Sequence, residues 1–276
     1  MTDATTVRVP GHVTLLFSVH EAPNAAATGS RGVGLTTAEG VTVRIGPGQG
    51  VRVNGERRPI AAVEGVLEAL GVEAAVDVET ALPLGTGFGV SGAAALGTAF
   101  AANRAFGCEL TENALVRTAH VAEVEAGTGL GDVVAQAHGG VVLRLEPGAP
   151  PHGRIDAIPE AGRLEYLALG ELSTPTVLAG DTAPITAAGD AALEGVLERP
   201  TLSRSFARAR AFAEETGLLD DEVAAVIEAV EAVGGTAAMA MLGRTVVALD
   251  DGLSRAGYDA VETAVDPHGA RFVEDA

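Results

Sequence analysis

The chain has 276 residues, a formal net charge of −19 and a sequence pI near 4.6, which excludes nucleic acid and anionic membranes as partners because both are bound through clustered cations. All 18 of its Lys+Arg residues are arginines, so chemistry that needs a lysine is excluded, the Walker phosphate loop included. A single cysteine, Cys108, and no Cys/His cluster at zinc spacing exclude an internal disulfide and a structural zinc site.

The acidic excess, the missing lysine and the many alanines are expected of a chain adapted to high intracellular salt, where carboxylates hold water and cations at the surface, or of a GC-rich genome that favours arginine and alanine codons. The first residues, "MTDATTVRVPGHV", carry no basic segment followed by an apolar one. No run of about eighteen apolar residues occurs, and a soluble cytoplasmic protein is expected.

In chain order, "RVPGHVTLLF", "RGVGLTTAEG", "VTVRI" (41–45) and "VRVN" (51–54) alternate apolar and polar residues between glycine-rich turns and predict an antiparallel meander. Pro59 opens a helix with Val63, Val66, Leu67 and Leu70 on one face, and Gly71 stops it. A half-buried strand is predicted at 74–80, then a glycine-rich loop and an alanine-rich helix over 91–105. "ENALVRTAHVAEVEA" follows Thr111 at helical period, "GTGLGDVVAQAHGG" comes next, and "VVLRL" (141–145) is a strand. Two helices are thus predicted between consecutive strands.

The Pro/Gly-rich "EPGAPPHGRID" (146–156) is the expected boundary or crossing loop, dividing the chain into units 1–148 and 149–276. Beyond it, "LEYLALGEL" is a strand, 203–217 and 221–233 are helices, and "TAAMAMLG" and "TVVAL" form a hairpin across Gly243–Arg244. The class is α+β.

The loop "LPLGTGFGVSGAAALGTAF" (82–100) holds Gly87, Gly89 and Gly92 at G-x-G-x-x-G spacing. A dinucleotide site also needs a second parallel strand directly after the first helix, with an acidic residue about twenty positions on. That position falls near Glu109 or Glu112, in a turn and at a helix start, so the dinucleotide reading and an NAD(P)-linked oxidoreductase rank low. Two readings remain level on the glycines alone. Backbone N–H groups and the positive end of the following helix form a polyphosphate cradle with Ser91 reaching a magnesium ion, or the glycines make a close-packed turn with Ser91 as an ordinary cap.

The pattern P-x-x-x-G-x-G-x-S carried by Pro83, Gly87, Gly89 and Ser91 and followed by Gly92 and Ala93 resembles the second motif of the GHMP kinases. Val90 stands where that motif has the first serine of a pair. "VPGHVTLLF" (9–17) resembles the family's N-terminal substrate motif and "GGTAAMAMLGRTVVAL" (234–249) its C-terminal motif. Within the superfamily, "PGHVT", "GSRGVG", "GFGVSGAAALGTA", "GTGLGDVVAQ", "RPTLSRSFARARAFAEETGL" and "MAMLGRTV" are similar to the archaeal pantoate kinases.

The resemblance implies the GHMP kinase fold, an N-terminal ribosomal-S5-like α/β domain with a C-terminal ferredoxin-like α+β domain. It implies ATP-dependent phosphorylation of the primary alcohol of pantoate, with another GHMP acceptor such as homoserine or mevalonate as the alternative. A homodimer is expected from the family. Carried over, Pro83, Gly85, Gly87, Phe88, Gly89, Ser91, Gly92 and Ala93 bind ATP. Ser91 and Glu123 hold Mg²⁺, Glu123 being preferred to Glu125. Asp132 orients or deprotonates the acceptor alcohol, or caps the helix that follows.

The acceptor carboxylate calls for a cation, and without lysine that is arginine or protonated histidine. Arg31, beside Ser30 in "GSRGVG", is the first choice. His12 donates to the acceptor, shapes its pocket, or is a satisfied buried histidine. Arg204 and Arg208 are weaker candidates, and His120 and His138 receive no role.

Overall fold

The computed structural model describes residues 5–171 and 180–273. Two long strands, β1 (Thr5–His20) and β2 (Gly29–Gly46), pair antiparallel and form the spine of an eight-stranded sheet. Their apolar positions are almost all buried, as expected of strands covered on both faces. β2 is shared. Residues 32–35 pair with β6 (Val141–Glu146), while 41–46 pair with β5 (Ala75–Thr80).

The expected antiparallel meander is corrected in two respects. "RGVGLTTAEG" and "VTVRI" are one continuous strand, and β3 (Gly50–Val53) runs parallel to β5. The cause is the crossover: β4 (Glu56–Arg57) and helix α1 (Ala61–Leu70) carry the chain back, so that β5 enters between β2 and β3. α1 ends at Gly71 in the left-handed conformation, as its sequence predicts.

α2 (Val90–Phe106) lies on β1 and β2, with α1 and α3 (Glu112–Ala126) on its other side. α4 (Asp132–His138) follows, so three helices, and not the expected two, separate β5 from β6. The antiparallel pairing of β6 with β2 also removes the βαβ unit that a dinucleotide loop requires.

The stretch 146–156 is not a crossing loop. It is the turn of a hairpin in which β7 (Arg154–Ile158) pairs with β6, still within the first sheet. The change of sheet falls at 159–162, before β8 (Arg163–Gly170). β8 joins β9 (Ala237–Ala240), β10 (Arg244–Leu249) and β11 (Val261–Ala264) in a four-stranded antiparallel sheet of order β11-β8-β10-β9. The predicted hairpin of β9 and β10 is present.

Helices α5 (Ala183–Leu197), α6 (Leu202–Glu215), α7 (Asp221–Ala232) and α8 (Gly252–Arg255) complete this half, and β12 (Arg271–Val273) returns to pair with β1. Thr201 and Asp220 cap α6 and α7 with their side chains. One apolar cluster runs from Leu16 and Phe17 of β1 to Phe206, Phe212 and Val246, so the second sheet has no core separate from the first strand. Among the described residues no helix is long and apolar enough to cross a membrane.

α5, which no sequence signal predicts, packs on β1 so closely that a Cβ at Gly189 would collide with the Phe17 carbonyl. A backbone group cannot swing aside. Gly189→Ala should therefore lose more through overpacking, about 1–3 kcal/mol or more, than the ~1 kcal/mol of helix propensity it gains. A drop in Tm of several degrees is expected in calorimetry; an unchanged Tm would show that α5 can shift off β1.

Candidate active site

The loop between β5 and α2 is shaped by its glycines. Gly85, Gly87 and Gly89 have φ of +75°, +95° and +59°, a region that side chains other than glycine adopt at a cost. Thr86 donates to the Pro83 carbonyl across the turn at 2.9 Å. Thr245 of β10 donates to the Thr86 carbonyl at 2.8 Å, and Gly243 lies so near that carbonyl that no side chain fits there. The C-terminal motif thus buttresses the loop directly.

Phe88 is buried edge-on to Tyr166, with ring centroids 4.7 Å apart. The Phe88 carbonyl accepts the backbone N–H of His12 at 3.0 Å, and the Gly89 carbonyl accepts Gln136 Nε2–H at 2.9 Å. α2 starts at Gly89 with no side-chain cap. Its first N–H groups and the positive end of its dipole are left for an anion.

That helix end opens on a cavity of about 550 Å³ lined by Gly85, Gly87, Gly89, Ser91, Glu123 and Asp132, with Phe88, Val90, Thr128, Glu171 and the 241–242 turn around them. Ser91 Oγ donates to Thr128 Oγ1 at 3.2 Å, and Thr128 Oγ1 donates to Glu123 Oε1 at 3.3 Å. Glu123 is buried, and its Oε2 finds no partner among the described residues. Burial first, and then the nearby charge of Asp132, push its carboxyl up to about 8, against the pull of the Thr128 and Ser91 hydroxyls. Without a bound cation this group is largely protonated at neutral pH.

Asp132 opens α4, and its Oδ1 lies 2.6 Å from Nδ1 of the fully buried His12. Burial holds the His12 pKa below its ordinary value in spite of that carboxylate. The imidazole is therefore neutral, with its proton on Nδ1 and donated to Asp132. Burial alone would raise Asp132, but the His12 hydrogen bond and the charge of Arg144 outweigh it and hold the carboxyl below its usual range. Asp132 stays ionised.

Arg144 comes from β6. It is 2% exposed, its Nη1 is 3.5 Å from His12 Nε2, and its Nε finds no acceptor among the described residues. Burial lowers its pKa to about 10, which leaves it cationic at neutral pH. A side chain at Gly131 would strike both Ser30 Oγ and Arg144 Nε, so Ser30 and Arg144 flank the residue that precedes Asp132.

The structure therefore brings Gly85, Gly87, Phe88, Gly89, Ser91, Glu123 and Asp132 to one cavity. Pro83, Gly92 and Ala93 belong to the same loop and helix. His12 stands behind Asp132. Arg31 is elsewhere: its guanidinium is engaged by Asp190 at 2.7 Å, Glu194 at 3.0 Å and the Leu145 carbonyl at 2.9 Å. Arg204 binds Glu198 and the Gly195 carbonyl, and Arg208 packs beside Gly195. Glu125 is exposed. His120 Nε2 pairs with the Thr28 carbonyl and His138 Nδ1 with that of Gly139. Arg144, Gln136 and Thr128 were missed by sequence reasoning, although the one charge inside the apolar "VVLRL" was a usable signal for the first.

Residues 57–140 match the model of the GHMP kinases N terminal domain. The chain is 34% identical over 244 residues to the pantoate kinase of Methanocaldococcus jannaschii, covering 86% of this chain and 89% of that protein. It is 36% identical over 261 residues to the pantoate kinase of Thermococcus kodakarensis, covering 87% and 86%. The chain belongs to the GHMP kinases. This GHMP kinase also superposes on a solved structure described as a phosphotransferase related to the CoA biosynthesis pathway, with a TM-score of 0.85, 28% identity and 98% of each chain covered.

The oxygen donors of the kinase's cavity fit a hard cation. Among the described residues no group of three or more His, Cys, Asp and Glu forms a cage. Glu123 Oε2 without a partner beside the Ser91 hydroxyl instead suits an ion that takes the rest of its shell from phosphate and water.

The raised Glu123 carboxyl makes a stability prediction for the ligand-free protein. Between about pH 4.5 and 8 the folded state keeps a proton that the unfolded chain has released. Wild type should therefore lose stability relative to Glu123→Gln as pH rises through that window, on the order of 1 kcal/mol per pH unit. Chemical denaturation of both proteins at pH 5, 6.5 and 8 measures it; parallel profiles would mean that Glu123 is ionised throughout.

Proposed function

We propose that this kinase transfers the γ-phosphoryl group of ATP to the primary alcohol of pantoate, giving 4-phosphopantoate and ADP on the route to coenzyme A. The observation that carries the proposal is the pairing of an uncapped, glycine-lined helix N-terminus with an ionised carboxylate, Asp132, across one cavity. The near full-length likeness to pantoate kinases supports the choice of acceptor.

In this reading the N–H groups of residues 87–92 hold the triphosphate by hydrogen bonds and the helix dipole. Ser91 and Glu123 would hold a magnesium ion, which neutralises phosphate charge as it moves towards ADP. The alcohol oxygen forms its bond to the γ-phosphorus while the bond to the bridging oxygen of ADP breaks, and the alcohol proton passes to Asp132. The work of the site is positioning and electrostatics, with no covalent enzyme intermediate.

Arg144 takes the role first expected of Arg31. The acceptor carboxylate needs a cation, Arg31 is held by Asp190, Glu194 and the Leu145 carbonyl, and Arg144 has an unpartnered Nε near Gly131, the residue before Asp132. The acidic surface supports a high-salt cytoplasm as the working medium. The division into an ATP-binding N-terminal unit and a C-terminal unit belongs to the same reading and follows the change of sheet at 159–162.

ADP release measured in molar KCl with magnesium, offering pantoate, pantothenate, homoserine or mevalonate, tests the function. Turnover is expected with pantoate; equal rates with and without it would sink the proposal. Arg144→Ala should raise the KM for pantoate by about 30-fold or more, the scale of losing a buried charge pair. An unchanged KM would assign the carboxylate to another group.

A further inference from the structure

We propose that His12 and Gln136 are positioning residues that set the distance between the phosphate loop and the Asp132 carboxylate while touching neither substrate. The proposal rests on the phosphotransfer reading above.

The argument is a closed circuit of hydrogen bonds. The backbone N–H of His12 donates to the Phe88 carbonyl at 3.0 Å, and the ring of the same residue donates to Asp132 Oδ1 at 2.6 Å. Asp132 begins α4, and Gln136 stands one turn later on the same helix. Gln136 Nε2 donates to the carbonyl of Gly89, the residue after Phe88, at 2.9 Å. The path from the loop through β1 to the carboxylate, and from the carboxylate through α4 back to the loop, uses no other side chain.

Both residues are fully buried, and neither lines the cavity. A buried imidazole and a buried amide are costly unless bonded, and each spends its donor on this circuit. Gln136 Oε1 has no partner among the described residues. The neighbourhood is built tightly around them. A side chain at Gly34 would collide with the His12 ring, and the backbone carbonyl of Gln136 is fixed by the Ala270 N–H at 3.0 Å. The ring of His12 is thus packed directly on the Gly34 backbone, and α4 is tied on a second side by Ala270.

In a reaction catalysed by placement, an error of about 1 Å is enough to cost on the order of 10²-fold in rate. Breaking the circuit should thus appear in kcat and not in binding.

The test compares wild type with His12→Ala, His12→Asn, Gln136→Met and the His12→Ala/Gln136→Met double variant, with folding checked by thermal melting. The readouts are pantoate-dependent ADP release and, separately, Kd for a non-hydrolysable ATP analogue. His12→Ala and Gln136→Met should each lower kcat by roughly 30- to 100-fold, with KM for pantoate and Kd for the analogue within about twofold of wild type. His12→Asn, whose amide nitrogen lies near the place of Nδ1, should recover part of the loss. The double variant should fall short of the product of the single effects, since both break one circuit.

Wild-type kcat in either single variant, or a raised KM for pantoate with kcat retained in the His12 variants, would overturn the proposal. Should His12→Ala fail to fold, the kcat of Gln136→Met decides, a wild-type value overturning the proposal and a loss without a change in Kd supporting it. If wild type itself shows no pantoate-dependent turnover, the phosphotransfer reading falls, and this one with it. Turnover in wild type with unaffected variants removes the positioning role alone.

Discussion

Residues 92–102 of α2 are buried without exception, held between the β1–β2 face of the sheet and the helices α1 and α3. A helix enclosed on all sides has no polar face, and here it has almost no large side chain either. Gly97 sits where a Cβ would press on Val43 and Val9, so the helix axis lies as near to the sheet as backbone packing allows. This fixes more than a core. The N-terminus of an enclosed helix cannot drift, and the loop that ends there inherits its position. Gly89 and Ser91 are placed by packing a turn or more away from the cavity they line.

Upon that frame rest two charged or chargeable side chains removed from water, Glu123 and Arg144, and a third, Asp132, that is only partly exposed, an arrangement that a fold selected for stability alone would avoid. They are not treated alike. Asp132 is kept ionised by a neutral histidine and a nearby guanidinium, whereas burial and the charge of Asp132 make Glu123 hold its proton. Two carboxyls in one cavity, pushed to opposite sides of neutrality, are left in different protonation states by their surroundings. The protonated one is short of a cation, and the ionised one is short of a proton.

Much of this was legible in the sequence, for identifiable reasons. Local signals worked where local physics decides: Gly71 as the stop of α1, Thr111 at the start of α3, the glycine loop ahead of α2. They failed where long-range pairing decides. No residue in "VRVN" says that β3 will lie parallel to β5, because that follows from a crossover through α1 and not from composition. The stretch 146–156 has the glycines and prolines of a linker, but a hairpin turn needs the same residues. In the site, Asp132 and Glu123 were found through motif wording, whereas Gln136 has no sequence signature: its role depends on a carbonyl 47 positions earlier.

The engagement of Arg31 by two carboxylates follows from the chain's own composition. With 37 acidic residues against 18 basic ones, a partly exposed arginine often meets a carboxylate. Arg31 meets Asp190 and Glu194, Arg204 meets Glu198, and Arg244 meets Asp220 and Glu222. Such pairs add little to stability in high salt, yet they compete with an anionic substrate for the same donors. A guanidinium stays out of that competition where it is buried beyond the reach of surface carboxylates. Arg144 meets that condition, because the strand buries it and the acid beside it, Asp132, is already engaged by His12. In a protein this acidic, the cation that serves an anionic substrate belongs in the interior, and a single arginine in an otherwise apolar strand is the place to look for it.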